Sequence, residues 1–215
     1  MTPAVEGARI APVLARLAAM RPVLGGTLLS IDTRHAAVMR LALEAGVEII
    51  NDVSALAHDP DSLAVAAASR ASIVLMHMAG VPATMNLAPA YDDVALDVFD
   101  HLEARVGACV AAGIAAERLI VDPGIGFGKR GAENLAILQS LALFHGLGRP
   151  LLLGLSRKGL GDDHHHRFAP RERLPASLAA AMHALDQGVQ LLRVHEVAEA
   201  RQAVELWRRL HPPGG

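Results

Sequence analysis

The chain has 215 residues, a formal charge of −2, and 52% hydrophobic but only 3% aromatic residues. That length holds one sizeable core and is short of two full domains, and the apolar content excludes a disordered chain. Without excess positive charge there is no global attraction to nucleic acid or an acidic membrane, so any bound anion must be held by locally placed cations.

Residues 5–20 carry apolar positions near helical spacing, and Arg21-Pro22 reads as the stop. Gly25-Gly26 then turns the chain into an apolar run, TLLSID at 27–32. A helix at 34–45 ends at Gly46, the position of a left-handed cap, and VEIIND follows at 47–52. Asp59-Pro60-Asp61 opens the next helix, and SIVLMH at 72–77 is the third run. A long helix at 92–112 leads to LIVD at 119–122, and a helix at 132–143 to LLLGLSRK at 151–158. Helices at 172–187 and 196–210 flank LLRVH at 191–195, and the tail 211–215 is expected to fray.

Six apolar runs alternating with helices predict a parallel sheet covered by helices, in one domain spanning 1–215, with 1–26 as helix and turn before the first strand. An open sheet and an incomplete barrel fit the pattern equally, since a closed barrel of this kind needs eight strands. Parallel strands bring their ends to one face, so Asp32, Asn51, His77, Asp122, Lys158, Arg193 and His195 are expected around one cavity. Cys109 is the only cysteine, most simply a small buried hydrophobe. No signal peptide or 18-residue apolar span is readable, which predicts a cytoplasmic protein.

The strongest local signal is Asp122-Pro-Gly-Ile-Gly-Phe-Gly-Lys129, where a carboxylate precedes three glycines that let backbone pass close to a ligand. Phe127 offers a stacking face; the alternative is a plain glycine turn in which Asp122 caps local amides. It is neither a Walker A nor a dinucleotide fingerprint. Ser156-Arg157-Lys158 puts two cations at a strand end, to hold an anion or simply to be solvated. Arg193-Val194-His195 places Arg193 and His195 on one strand face, which favours anion recognition. Asp32 and Asn51 could accept and donate to a heterocycle edge, or act as caps. His77 reads as a site-lining histidine, and His164-His165-His166 as a solvated insert.

These motifs together resemble the dihydropteroate synthase family of folate biosynthesis, the target of sulfonamides. The matching segments are LLSIDT, GVEIINDVSAL, IVLMHMAGVPATMN, YDDV, ERLIVDPGIGFGK, LLLGLSRK and RVHEV. The resemblance implies a TIM-type barrel and condensation of 6-hydroxymethyl-7,8-dihydropterin diphosphate with 4-aminobenzoate. It implies pterin binding by Asp32, Asn51, Met76, Asp122, Phe127, Gly154 and Lys158, and diphosphate binding by Arg193 and His195, with Mg²⁺. Lys158, Arg193 and His195 are the implied catalytic residues, and a homodimer is the family habit. Segments resembling NVTPDSF and DIGGESTRPG are not found, so the barrel is expected to be reduced at its N-terminal side to about six strands. That leaves the usual Asn ligand of the metal without a counterpart and makes turnover by this short form doubtful. Gly159 also stands where the family commonly has Ser. A non-catalytic pterin-binding homologue and, less favoured, a pterin-dependent methyltransferase are the alternatives.

Overall fold

The computed structural model describes residues 1–80, 91–160 and 168–212. The VPATMN part of one motif, the His164–His166 run and the last three residues of the tail lie outside these. The chain divides into two compact units, one of Met1–His77 with His101–Val121, the other of Met78–Asp100 with Asp122–Gly215.

The first unit contains α1 (Pro3–Ala19), α2 (Arg21–Leu24), β1 (Ser30–Asp32), α3 (Ala36–Glu44), β2 (Ile49–Asp52), α4 (Ser62–Ala68) and β3 (Ser72–Met76). The C-terminal part of α5 (Val94–Ala111) and β4 (Leu119–Asp122) as far as Val121 complete it. The strands lie in the order β1-β2-β3-β4. β1 to β3 pair in parallel, with Asp32 opposite Asn51 and Asn51 opposite Val74. Ile31, Ile50, Ile73, Leu75 and Leu119 pack with Met39, Ala42, Ala66 and Cys109 in one core. Alternate strand residues face that core, and burying each large apolar side chain contributes about 1.5–3 kcal/mol.

Three details depart from the sequence reading. α1 stops at Ala19, just before Arg21-Pro22, but the proline then sits in the first turn of a short α2 absent from that reading, where its missing N–H costs nothing. Asp61 is the N-cap of α4, with its N–H held by Asp59 Oδ1 at 3.0 Å, but Pro60 lies before the helix. The other Asp59 oxygen accepts from Ala36 N at 2.9 Å, capping α3, whose own N-cap His35 makes no side-chain cap. The first run forms only a three-residue strand, since Leu28 is exposed. Arg118 ties α4 to β3 through Ala66 O at 2.8 Å and Ala71 O at 2.9 Å.

The second unit contains the N-terminal part of α5, α6 (Gly131–Gln139), β5 (Leu152–Gly154), α7 (Leu174–Asp186), β6 (Leu191–Arg193) and α8 (Val197–Leu210). β5 and β6 pair in parallel, with Gly154 opposite Arg193. Ile125, Ile137, Leu141, Phe144, Leu151 and Leu153 are buried there. Trp207 Nε1 donates to Asp186 Oδ1 at 2.6 Å, fastening α8 to α7. The fifth and sixth runs are also shorter than read. β5 stops at Gly154 and β6 at Arg193, so His195 lies beyond the strand instead of sharing a strand face with Arg193. Among the described residues, no helix is long and apolar enough to cross a membrane.

Candidate functional site

In the second unit the chemistry collects around the turn after β4. Asp122 is buried, and its Oδ1 accepts from Gly124 N at 2.7 Å. Burial pushes the Asp122 carboxyl upward, opposed by Lys158, the Gly124 N–H, Lys129 and Arg193. The glycines then take left-handed backbone, with φ of 70°, 80° and 67° at Gly124, Gly126 and Gly128. At Gly126 a Cβ would stand 3.2 Å from Lys158 Cδ, so the missing side chain lets the lysine stem lie against the turn. Lys158 Nζ donates to Ile125 O at 2.5 Å and stands 4.6 Å from the centre of the Phe127 ring, in cation–π range. A Cβ on Gly154 would come 3.6 Å from Lys158 Nζ, so that glycine leaves room for the ammonium. Burial lowers the Lys158 pKa, and Arg193 adds to this while Asp122 opposes it.

Three residues without an assigned role in the sequence reading fix this turn. Lys129 Nζ donates to Gly124 O at 2.9 Å and Phe127 O at 3.1 Å. Asn134 on α6 accepts from Gly126 N at 2.7 Å and donates to Lys129 O at 3.2 Å. Tyr91 donates to Gly128 O at 3.1 Å; burial, with Glu133 and Asp97 nearby, pushes its phenol to about 12, so it remains a donor at ordinary pH. The turn's carbonyls and amides are thus held from within, which leaves the Phe127 face and the Asp122 carboxylate in fixed positions.

Burial pushes Lys129 down to about 7, with Asp122 and Glu133 opposing and Lys158 adding to the shift. An unfolded lysine keeps its proton to about 10.4, so between these values the unfolded chain binds more protons. Stability should therefore rise with pH from about 7 upward, as the penalty for burying the charged amine is relieved. Urea unfolding across this range should show Lys129→Met losing up to ~1.4 kcal/mol of that rise per pH unit relative to the parent. Parallel pH profiles for the two proteins would contradict the assignment.

The cation pair read at Arg157-Lys158 separates. Arg157 takes φ 63° and points its guanidinium to Glu196, with Nε 2.7 Å from Oε1. That contact lowers the Glu196 pKa. Arg157 is thus a structural ion pair, neither an anion ligand nor a solvated turn, and its backbone is held by Ser177 Oγ and Arg173. Arg193 ends β6 exposed, and His195 follows, with Nδ1 3.0 Å from Ser156 Oγ. Ser156 and Glu196 carried no role in the sequence reading because nothing local marks them; only the spatial return of α8 to the β5 end does.

In the first unit a second polar set stands at strand ends. Asn51 Nδ2 donates to Asp32 Oδ1 at 2.5 Å, and Asn51 Oδ1 is buried with no hydrogen-bond partner among the described residues. A buried orphan carbonyl of this sort is costly unless something donates to it. Met76 is buried at the end of β3, and His77 sits edge-on to His101 with ring centres 4.8 Å apart. The neighbouring Asp52 is structural: fully buried, it accepts from Ser54 N at 2.7 Å and Leu56 N at 3.2 Å. These bonds hold Ala55 and Leu56 at positive φ. Glu6 on α1 fixes the loop after Asp32, accepting from Thr33 Oγ1 at 2.5 Å and pairing with His35 Nδ1 at 2.8 Å.

The model of the family described as pterin binding enzyme matches residues 1–195. The chain is 40% identical to the dihydropteroate synthase of Neisseria meningitidis serogroup B, over 98% of this chain and 73% of that protein. It is 42% identical to the dihydropteroate synthase of Escherichia coli K12, over 83% of this chain and 62% of that protein. A solved dihydropteroate synthase from Xanthomonas albilineans, in complex with 7,8-dihydropteroate, is 41% identical and superposes with a TM-score of 0.85, over 95% of this chain and 73% of that one. The chain thus spans between about three fifths and three quarters of the length of these relatives. The fold is the α/β, TIM-type barrel architecture of these proteins, represented by six strands among the described residues. The chain belongs to the pterin-binding enzymes and, within them, to the dihydropteroate synthases, transferases of folate biosynthesis.

Proposed function

We propose that this chain carries out, or retains the binding half of, the condensation of 6-hydroxymethyl-7,8-dihydropterin diphosphate with 4-aminobenzoate. The observation that carries the reading is the Asp122 carboxylate, buried and fixed beside Lys158 and a glycine turn that presents the Phe127 face. Asp122 accepts from the amino and ring N–H groups of the pterin, Phe127 stacks on it, and Lys158 donates to a ring acceptor, with Gly154 making room. Asp32, Asn51 and Met76 take the pterin roles that the family motifs give them, and the orphan Asn51 Oδ1 is an acceptor suited to an amino group. Arg193 and His195 hold the diphosphate. We take both units as parts of the single domain read from the sequence, in a cytoplasmic protein that forms a homodimer.

In the reaction the bond between the exocyclic CH₂ and the diphosphate oxygen breaks, and the electron pair leaves with the diphosphate. The arylamine nitrogen forms the new C–N bond and then loses a proton. Cations fixed beforehand around the departing oxygens favour this without a covalent protein intermediate. Among the described residues no three His, Cys, Asp or Glu side chains converge to hold a metal. Mg²⁺ is commonly bound through one or two protein oxygens together with substrate phosphates, so magnesium would enter as the companion of the diphosphate substrate. The test is a product assay on the purified chain with both substrates. Dihydropteroate and diphosphate formed in equal amounts support the synthase reading. Neither product, with the pterin still bound, supports the binding half alone, and no pterin binding overturns both.

A further inference from the structure

Ser156 Oγ stands at the centre of three contacts, all within the second unit. It lies 3.1 Å from Glu196 Oε2, 3.0 Å from His195 Nδ1 and 3.2 Å from the His195 backbone N. A hydroxyl has one proton to donate and two lone pairs to accept with. Glu196 is ionised, because the Arg157 guanidinium holds its carboxyl low, and an ionised carboxylate only accepts. The serine proton must therefore point to Glu196. Both lone pairs are then available to donors, and among the described residues the two that reach them are the backbone N–H and Nδ1–H of His195. We infer that Glu196 and Ser156 are positioning residues that fix the His195 ring proton on Nδ1, leaving Nε2 as the atom turned to a bound diphosphate. The link to diphosphate rests on the functional reading above; the tautomer does not.

This has a consequence for binding. A neutral His195 in that tautomer carries a lone pair at Nε2, which repels a phosphoryl oxygen. Diphosphate can be held there only with a proton between Nε2 and the phosphoryl oxygen, so binding at a pH where both the ring and the ligand are deprotonated takes up about one proton. The charged groups on the elements around the ring are Arg193 at the end of β6, Arg157 and Lys158 after β5, and Glu196 before α8. The same geometry predicts how the chain reverses. In Glu196→Gln, Arg157 Nε still requires an acceptor and draws the amide oxygen, so the amide NH₂ faces Ser156. The serine then accepts from the amide and donates to Nδ1, moving the ring proton to Nε2.

The experiment uses the full chain with ¹⁵N-labelled histidine, at a pH where imidazole is neutral, with the His195 signals assigned by their loss in His195→Gln. Two-bond ¹H–¹⁵N correlations report which nitrogen carries the proton. The parent is expected to show Nδ1–H, Glu196→Gln to show Nε2–H, and Ser156→Ala, which keeps the ion pair, a mixture. Nε2–H in the parent, or Nδ1–H unchanged in both variants, overturns the inference. Titration with inorganic diphosphate, at a pH where the ligand is fully ionised and cannot itself supply the proton, in buffers of different ionisation enthalpy is the second arm. About one proton taken up by the parent and about none by Glu196→Gln supports the whole chain of argument. Nδ1–H in the parent with no diphosphate binding overturns the functional reading of His195 and leaves the tautomer standing.

Discussion

Asp122→Asn should weaken binding of a pterin that lacks the diphosphate by about 100-fold, whereas Arg193→Ala should change it by no more than about 3-fold. Asp122 is buried, and Asn keeps its shape and an oxygen for Gly124 N, so the substitution removes the charge while retaining the turn. What is lost is a charge-assisted acceptor facing ring and amino N–H donors, worth about 1.5–3 kcal/mol per bond in a dry site, against about 1.4 kcal/mol for each tenfold. Arg193 sits exposed at the end of β6 and is assigned to the diphosphate, which this ligand does not have. Calorimetric titration of the two variants checks this, and equal losses would contradict the separate roles. Urea unfolding of Asp122→Asn controls for the weaker pairing with Lys158 and Lys129 that follows from removing the charge.

Gly128→Ala should destabilise the protein by about 3–4 kcal/mol, combining left-handed backbone strain with a steric clash. The residue takes φ 67°, and a Cβ would stand 2.7 Å from the Ala79 Cβ and 3.2 Å from the Ala79 backbone N and O. Backbone cannot move aside as the tip of a long side chain can, and Tyr91 holds the Gly128 carbonyl from another direction. Gly113 is the control: it also has positive φ, at 91°, yet nothing lies within 4 Å of its Cβ position. Gly113→Ala should therefore cost only the conformational share, about 1 kcal/mol. Chemical denaturation measures both, and similar losses would show that close approach to Ala79 contributes nothing.

Much of this architecture is written locally. The six runs each contribute a strand, because β-branched and Leu-rich segments bounded by Gly, Pro and Asp have few other options. The glycine turn after Asp122 is legible for the same reason, since three glycines in five residues announce left-handed backbone. What the sequence conceals is pairing at long range. Nothing near Arg157 distinguishes an anion ligand from a buttress; the partner is Glu196, thirty-nine positions away. Asp59 looks like part of the start of the helix that follows it and also caps the preceding one, because the fold brings it to Ala36. Lys129 follows its glycines as any solvated lysine would, and only burial against two turn carbonyls gives it a role. Even the strand ends mislead: alternation put Arg193 and His195 on one face, but pairing with β5 stops at Arg193 and frees His195 to turn toward Ser156.

The central claim is that the Asp122–Lys158 turn holds the pterin while Arg193 and His195 hold the diphosphate. Titrating the parent chain with the pterin alcohol and with its diphosphate, under one buffer and one salt concentration, tests this most directly. The diphosphate should bind about 10- to 100-fold more tightly, the range for one or two charge-assisted bonds, and Arg193→Ala should remove most of that difference. Equal affinity for the two ligands, or a difference that survives Arg193→Ala and His195→Gln together, would contradict it.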